Sequence, residues 1–113
     1  MRCTRVLKVA VLGASLLAGL SACATVDVTK TAKGYYEPTQ ADDIEILMTV
    51  PDRAYVELGT VTTSGWVASD TAKMHNALRS KTAPLGADAV ILTDTGRDGS
   101  GYLWGNGVAI KYK

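Results

Sequence analysis

The feature that most constrains the fold is an uninterrupted apolar run, Ala89–Leu92, within the sequence DAVILT. A strand with one face in water alternates apolar and polar residues, so a strand without that alternation is covered on both faces. Asp88 and Thr93 bound the run, and it is too short for a helix. The sequence therefore predicts a sheet that needs a cover on each face.

The sequence before this run predicts two further strands. IEILMTV alternates in period two and contains β-branched residues, PDR is typical of a turn, and AYVELGTVTT continues as a second strand. We expect the two strands to pair as a hairpin, because Val50 opposite Ala54 places both apolar sets on one face. The residues on that shared face are Ile44, Ile46, Met48 and Val50 on the first strand, and Val56, Leu58 and Thr60 on the second.

A helix and a last strand complete the pattern. Ser69 or Asp70 is a good N-cap, and apolar residues that include Leu78 follow at helical spacing. We expect Leu78 on this helix and Leu58 on the sheet to share one core. Pro84 cannot donate a backbone hydrogen bond, so we expect the helix to end near Thr82, with Gly86 as a left-handed stop. Beyond the apolar run, DTGRDGSGYLWGNG is a glycine-rich loop and VAIKYK is a strand.

The order strand, strand, helix, strand, strand predicts an α+β fold. One helix packs on a small, mainly antiparallel four-stranded sheet and covers one of its faces. Three covers are open for the other face: the aromatic residues Trp66, Tyr102 and Trp104, the segment before the domain, or a second copy of the domain in a homo-oligomer. We favour the aromatic cover, with Trp104 structural. In the alternative, the three aromatic residues are partner contacts, because Trp and Tyr are frequent in interface hot spots.

The first 23 residues predict a processed and lipid-modified N-terminus. VAVLGASLLAGL has twelve uncharged residues, whereas a bilayer core needs about 20. Arg2, Arg5 and Lys8 precede it without an acid, which is typical of a secretory signal peptide. The sequence that follows, Leu20–Cys23, resembles the bacterial lipobox. That resemblance implies cleavage before Cys23, a diacylglyceryl group on its sulfur, and acylation of its new amine.

Lipidation defines the expected domains and the location. We expect residues 1–22 to be removed as a lipoprotein signal peptide, residues 23–41 to form a lipidated N-terminus and flexible tether, and residues 42–113 to form a single domain. Ala24 stands where an aspartate retains enterobacterial lipoproteins at the inner membrane. By that resemblance, the protein is anchored in the outer membrane and faces the periplasm; the alternative is the periplasmic face of the inner membrane.

Charge, cysteine and histidine counts restrict the functions. Removal of residues 1–22 leaves 9 basic and 11 acidic side chains, a net charge of −2, so no basic field for nucleic acid remains. Cys3 leaves with the signal and Cys23 carries the lipid, which leaves no thiol for a disulfide or a metal. His75 is the one histidine, and we expect it at the surface rather than in a metal site. We expect no cofactor, no metal and no catalytic residue.

The folded part of the chain resembles a superfamily of small bacterial domains. The resemblance covers residues 51–113 and lies in PDRAYVELGTV, in ALRSKTAPLGADAVIL and in GVAIKYK. The superfamily includes the so-called heavy-metal-binding domain, the lipoprotein stress sensor of the Rcs envelope pathway, and envelope lipoproteins without an assigned role. The resemblance implies that Gly59 and Gly86 lie at turns or close approaches and that Ala87, Ala89 and Val90 lie in the core.

Two departures from the superfamily decide which members are most similar. The Rcs sensor is braced by disulfides, which this domain cannot form, and the metal-binding label finds no cluster of Cys or His here. The closest members are therefore the lipoproteins without an assigned role. We expect a protein-interaction or envelope-sensing module whose exposed aromatic residues contact another envelope protein or the cell wall. We do not expect an enzyme, because no acid, base and nucleophile constellation appears. The alternative is a periplasmic module that binds a small ligand or a metal.

Overall fold

The computed structural model describes residues 24–113, which form one mixed five-stranded sheet with a helix on one face. The strands are β1 (Thr25–Lys30), β2 (Glu45–Leu47), β3 (Tyr55–Trp66), β4 (Ala89–Arg97) and β5 (Leu103–Tyr112), the helix is α1 (Thr71–Thr82), and single 3-10 turns lie at Ala41–Asp43, Ala68–Asp70 and Ala83–Leu85. The strand order is β1-β3-β5-β4-β2. The β2–β4 pair is parallel and the other pairs are antiparallel. None of the helices within residues 24–113 has the length and apolar character needed to cross a bilayer.

The expected α+β class with one helix is confirmed, but the expected four-stranded sheet is wrong. The sheet has a fifth strand, β1, and it is mixed because β2 runs parallel to β4. Both differences concern the two edges of the sheet. The centre, where β5 lies between β3 and β4, is antiparallel as expected.

The predicted hairpin of IEILMTV with AYVELGTVTT, the segments that contain β2 and β3, is wrong. The strand spans only Glu45–Leu47, and it pairs with β4, with Ile46 opposite Val90 and Leu47 opposite Ile91. The connection Met48–Ala54 then crosses β4 and β5 to reach the start of β3. Period-two alternation identifies a strand but carries no information on its partner, so it fitted the false hairpin equally well.

The phase of β3 also differs from the expectation, because the strand contains a β-bulge. Glu57 pairs with Ile110 and Gly59 with the next residue, Ala109, so Leu58 is the extra residue. Beyond the bulge the faces are exchanged. Thr60, expected in the core, is exposed, whereas Val61 is buried.

The segment expected to be a flexible tether contains the edge strand β1. Thr25 pairs with Ser64, and Val26 and Val28 pack against the core. A Cβ atom on Gly59 would lie 2.5 Å from the carbonyl oxygen of Thr29, so the strands approach closely where β3 has a glycine. The segment TVDVTK predicts a strand only weakly, because its apolar residues are two valines among polar ones. The folded unit therefore begins at β1 rather than at residue 42.

The helix agrees with the prediction. It spans Thr71–Thr82, with Met74 and Leu78 buried. Asp70 occupies the N-cap position, but its side chain makes no capping hydrogen bond. The Thr82 hydroxyl donates a hydrogen bond to the Leu78 carbonyl, which satisfies the buried Thr82 side chain. Gly86 follows with φ of +90°, the left-handed conformation expected of it.

The apolar run of β4 lies between two covered faces, as predicted. Val90 and Leu92 belong to the cluster between sheet and helix, together with Leu58 and Leu78. Ala89 and Ile91 belong to a second cluster on the opposite face. The partners of that second cluster are Ile110, Leu47, Tyr55, Val108 and Tyr112. The two tyrosines and their neighbours therefore cover Ala89 and Ile91, whereas Trp104, which was expected to do so, lies farther along the sheet, across from Gly96.

Candidate interaction surface

The connection between β2 and β3 exposes two large apolar side chains. Met48 is 58% exposed and Val50 is 66% exposed. Sequence analysis placed both in the core, because they continue the alternation of the preceding strand. Large exposed apolar side chains are candidates for partner contact where several lie in one surface region, and these two belong to one short loop. We name residues 48–53 the crossing loop.

A charged depression lies beside the crossing loop. The Arg53 guanidinium carbon lies 3.8 Å from the centroid of the Tyr112 ring, a cation–π contact. The Tyr112 hydroxyl donates a hydrogen bond of 3.0 Å to Glu45 Oε1. Since Tyr112 belongs to the second apolar cluster, the crossing loop passes over the face opposite the helix. These contacts join β2, β5 and the loop into one surface.

Asp88 lines the depression and is held in place by two contacts with β5. Its Oδ2 accepts a hydrogen bond of 2.9 Å from the Tyr112 backbone N–H and lies 3.6 Å from Lys111 Nζ. The open depression has a volume of about 600 Å³ and is lined by three carboxylates, one guanidinium and one phenol, those of Asp43, Glu45, Asp88, Arg53 and Tyr112. The surface therefore offers hydrogen-bond acceptors to a basic or amide group, and a planar cation and ring to a carboxylate or aromatic group.

The pKa of the Tyr112 phenol is raised above its ordinary value. Burial of the ring is the main cause, and the hydrogen bond to Glu45 adds to it because the neutral phenol is the donor. Tyr112 therefore stays protonated at neutral pH and keeps holding the Glu45 carboxylate.

The three aromatic residues predicted as partner contacts do not form one patch. Trp66 packs against the helix-side cluster, and its Nε1 donates a hydrogen bond of 2.7 Å to Thr63 Oγ1. Trp104 lies on the opposite face, across from Gly96, where an added Cβ would be 3.0 Å from the indole. The Tyr102 backbone N–H donates to Asp98 Oδ1 in the β4–β5 turn. All three are partly buried and lie at one end of the sheet.

Cys23, the predicted site of lipid attachment, lies outside the described residues. His75 is half-buried on α1, and its imidazole pKa is lowered by burial and by the Arg79 cation. Within residues 24–113, no three His, Cys, Asp or Glu side chains lie together in a way that could hold a metal ion.

The lowered His75 pKa predicts a pH dependence of stability. The unfolded chain binds a proton near pH 6.5, whereas the folded chain binds it only at lower pH. Between the two pKa values the unfolded state holds more protons, so the free energy of unfolding rises as pH rises through this window. Urea denaturation from about pH 5 to pH 8 measures it. His75→Gln should flatten this part of the profile, and an unchanged slope would contradict the assignment.

Comparison with known proteins identifies a shared fold and no family. No protein-family model matches the chain, and no curated protein matches it. Among solved structures, the domain is similar to the Francisella virulence factor FvfA, with a TM-score of 0.56 and 15% sequence identity. The likeness covers 77% of this chain and 97% of that one. At this identity it supports the α+β architecture alone.

Proposed function

We propose that the protein is a lipid-anchored lipoprotein of the bacterial envelope. Its domain binds or senses another envelope protein on the periplasmic side of the outer membrane. The lipobox, the basic signal region and the resemblance to envelope lipoproteins support the anchor. Each buried CH₂ contributes about 0.8 kcal/mol, and two or more acyl chains on Cys23 give a stable attachment.

The exposed apolar residues beside the charged depression are the observation that carries the interaction role. Met48 and Val50 are exposed on the crossing loop, whose Arg53 contacts the Tyr112 ring. Met, Tyr and Arg are enriched at protein interfaces, and this loop and ring supply one residue of each kind. His75 has a cation, Arg79, beside it rather than an orienting carboxylate. The chemistry of the surface therefore favours binding over catalysis.

The anchor is tested by the intact mass of the membrane form. We expect a species of residues 23–113 carrying acyl chains. Cys23→Ser should accumulate as the unprocessed precursor, because the lipidated cysteine defines the cleavage site in lipobox proteins. An unmodified chain that starts at another residue would refute the anchor, whatever the domain binds.

The interaction is tested by site-specific photo-crosslinking in living cells. A photoreactive residue at position 48 or 50 should give a discrete crosslinked species, and one at the exposed helix position Lys81 should not. Adding Arg53→Ala should weaken the crosslink, because it removes the guanidinium from the Tyr112 ring. Equal crosslinking at positions 50 and 81 would show that the loop has no specific partner.

A small cationic ligand is the second candidate occupant of the depression. The lining has three carboxylates and one guanidinium, and Lys111 pairs with one of the carboxylates, Asp88, so one negative charge remains in excess. The volume of about 600 Å³ is within the usual size of small-molecule sites. A ligand that binds only the folded state raises thermal stability. Spermidine should then raise the melting temperature of the protein, and Glu45→Gln should reduce that rise. No shift with spermidine would leave the protein-interaction proposal as the role of this surface.

A further inference from the structure

One end of the sheet gathers both tryptophans of the chain close to the start of β1. Thr25 pairs with Ser64, and farther along the same direction Trp66 pairs with Leu103. The turn of residues 98–102 joins β4 to β5 beyond that pair. We name this region the aromatic end. It is the end from which the chain enters the sheet.

The chain between the proposed lipid attachment at Cys23 and the start of β1 is short. Two peptide units separate Cys23 from Thr25, so their Cα atoms are at most about 7 Å apart. Leu103 lies one to two strand residues beyond the level of Thr25, roughly 5 Å at the usual rise, and the 98–102 turn lies farther still. The turn therefore reaches about as far toward the anchor as Cys23 itself can.

The side chains of the aromatic end suit the bilayer interface. Val67 is 47% exposed, and Trp104 and Tyr102 are partly exposed. Tryptophan and tyrosine place an apolar ring among the upper acyl chains and a polar group among the headgroups. The Asp98 carboxylate is engaged within the turn, where its Oδ1 accepts hydrogen bonds from the backbone N–H groups of residues 100 and 102. Exposed Arg97 offers a cation to lipid phosphate.

We infer that the aromatic end rests on the phospholipid surface as a second membrane contact, an inference that rests on the lipidation proposed above. The occupant is the headgroup region of the bilayer that holds the Cys23 lipid. The carboxylates of the depression lie at the opposite end of the sheet, near the starts of β2 and β4. The contact thus orients the domain, with the depression and the crossing loop turned away from the membrane.

Tryptophan fluorescence tests this contact directly, because both tryptophans lie at the aromatic end. The acylated protein is purified from membranes and reconstituted in phosphatidylcholine vesicles with or without bromine near the carbonyl end of the acyl chains. Bromine quenches only tryptophan at the interface. We expect brominated lipid to lower the emission about twofold, and Trp66→Phe and Trp104→Phe to divide that loss between the two rings.

A matched probe at the other end serves as the control. Val50→Trp in the background Trp66→Phe, Trp104→Phe places the fluorophore on the crossing loop. We expect aqueous iodide to quench it and brominated lipid to leave its emission within about a tenth of its starting value, because the loop lies away from the headgroups. Equal bromine quenching at the two ends would overturn the orientation.

Mass spectrometry of the same sample separates the two proposals. An acylated chain starting at Cys23, with tryptophans quenched by iodide and not by brominated lipid, would refute the membrane contact and leave the anchor standing. If the tryptophans become protected from iodide only in native membranes that contain other proteins, the aromatic end contacts a protein and the inference is wrong. An unacylated chain would refute the proposed anchor itself.

Discussion

Replacing Leu78 by alanine is expected to lower the free energy of unfolding by about 2–5 kcal/mol, the range for truncating a buried leucine. Leu78 is fully buried between α1 and the sheet, in the same cluster as Leu58. The sequence predicted that these two residues share one core, and the structure confirms it. Small domains have a total stability of about 5–15 kcal/mol, so this loss removes a large share of it.

Urea denaturation of a chain that starts at Ala24 measures the effect. Leu78→Met keeps most of the volume and should cost less than about 1.5 kcal/mol. Ser80→Ala, two residues farther along the helix and exposed, should change stability by no more than about 0.5 kcal/mol. If Leu78→Ala falls in the same small range as Ser80→Ala, the helix does not pack on the sheet through this face.

The features that sequence predicted well are those determined by neighbouring residues. The helix of residues 71–82, its stop at Gly86 and the double burial of Ala89–Leu92 each follow from a local pattern. Periodicity, proline and glycine act over a few residues, so the residues that determine each of these elements lie within it or next to it in the chain. These elements therefore keep their form in the structure.

The edges of the sheet were not predictable in the same way. The partner of residues 45–47 is β4, on the far side of two other elements along the chain. In the predicted hairpin, residues 44–50 paired with β3 through a short turn, and that pairing also placed the apolar side chains of both strands on one face. The bulge at Leu58 depends on how β3 pairs with β5. The neighbouring Gly59 was its local sign, because an isolated glycine in a strand indicates a bulge or a close approach of another backbone. Partner choice is set by the whole core, which a local pattern does not contain.

The candidate interaction surface escaped prediction for the same reason. The hydrogen bond from Tyr112 to Glu45 joins residues 67 positions apart, and Arg53 completes the cluster from a third segment. Met48 was assigned to the core because the false hairpin needed it there. Sequence analysis did single out the aromatic residues, since bulky rings in a glycine-rich segment are visible without a structure. It missed that they lie at the end where the chain enters β1.

Gly86→Ala should destabilise the domain by two separate effects. The backbone φ of +90° is unfavourable for any residue with a Cβ, at about 1–2 kcal/mol. A Cβ at this position would also lie 2.8 Å from the Glu37 carbonyl oxygen and 2.8 Å from Tyr36 Cβ. The segment before β2 must then move away from the end of the helix. The total should exceed about 2 kcal/mol, since strain and steric displacement add.

Three other glycines separate these contributions in the same domain. Gly34 has φ of +86° with open space around its Cβ position, Gly59 has a close carbonyl without positive φ, and Gly99 has neither. Alanine at residue 34 should therefore cost the backbone strain alone, about 1–2 kcal/mol. Alanine at residue 59 should loosen β1, and at residue 99 it should be neutral or slightly stabilising, because it restricts the unfolded chain.

The comparison of Gly86→Ala with Gly34→Ala decides whether residues 31–40, the segment after β1, stabilise the folded domain. The contact of Tyr36 with Gly86, and the hydrogen bond from the Thr39 backbone N–H to the Ala83 carbonyl, hold that segment against the end of the helix. If these contacts contribute to stability, Gly86→Ala costs more than Gly34→Ala and speeds proteolysis between β1 and β2. Equal losses, with proteolysis unchanged, would mean that residues 31–40 lie on the domain without stabilising it. The folded core would then depend on β1 alone for its N-terminal contribution.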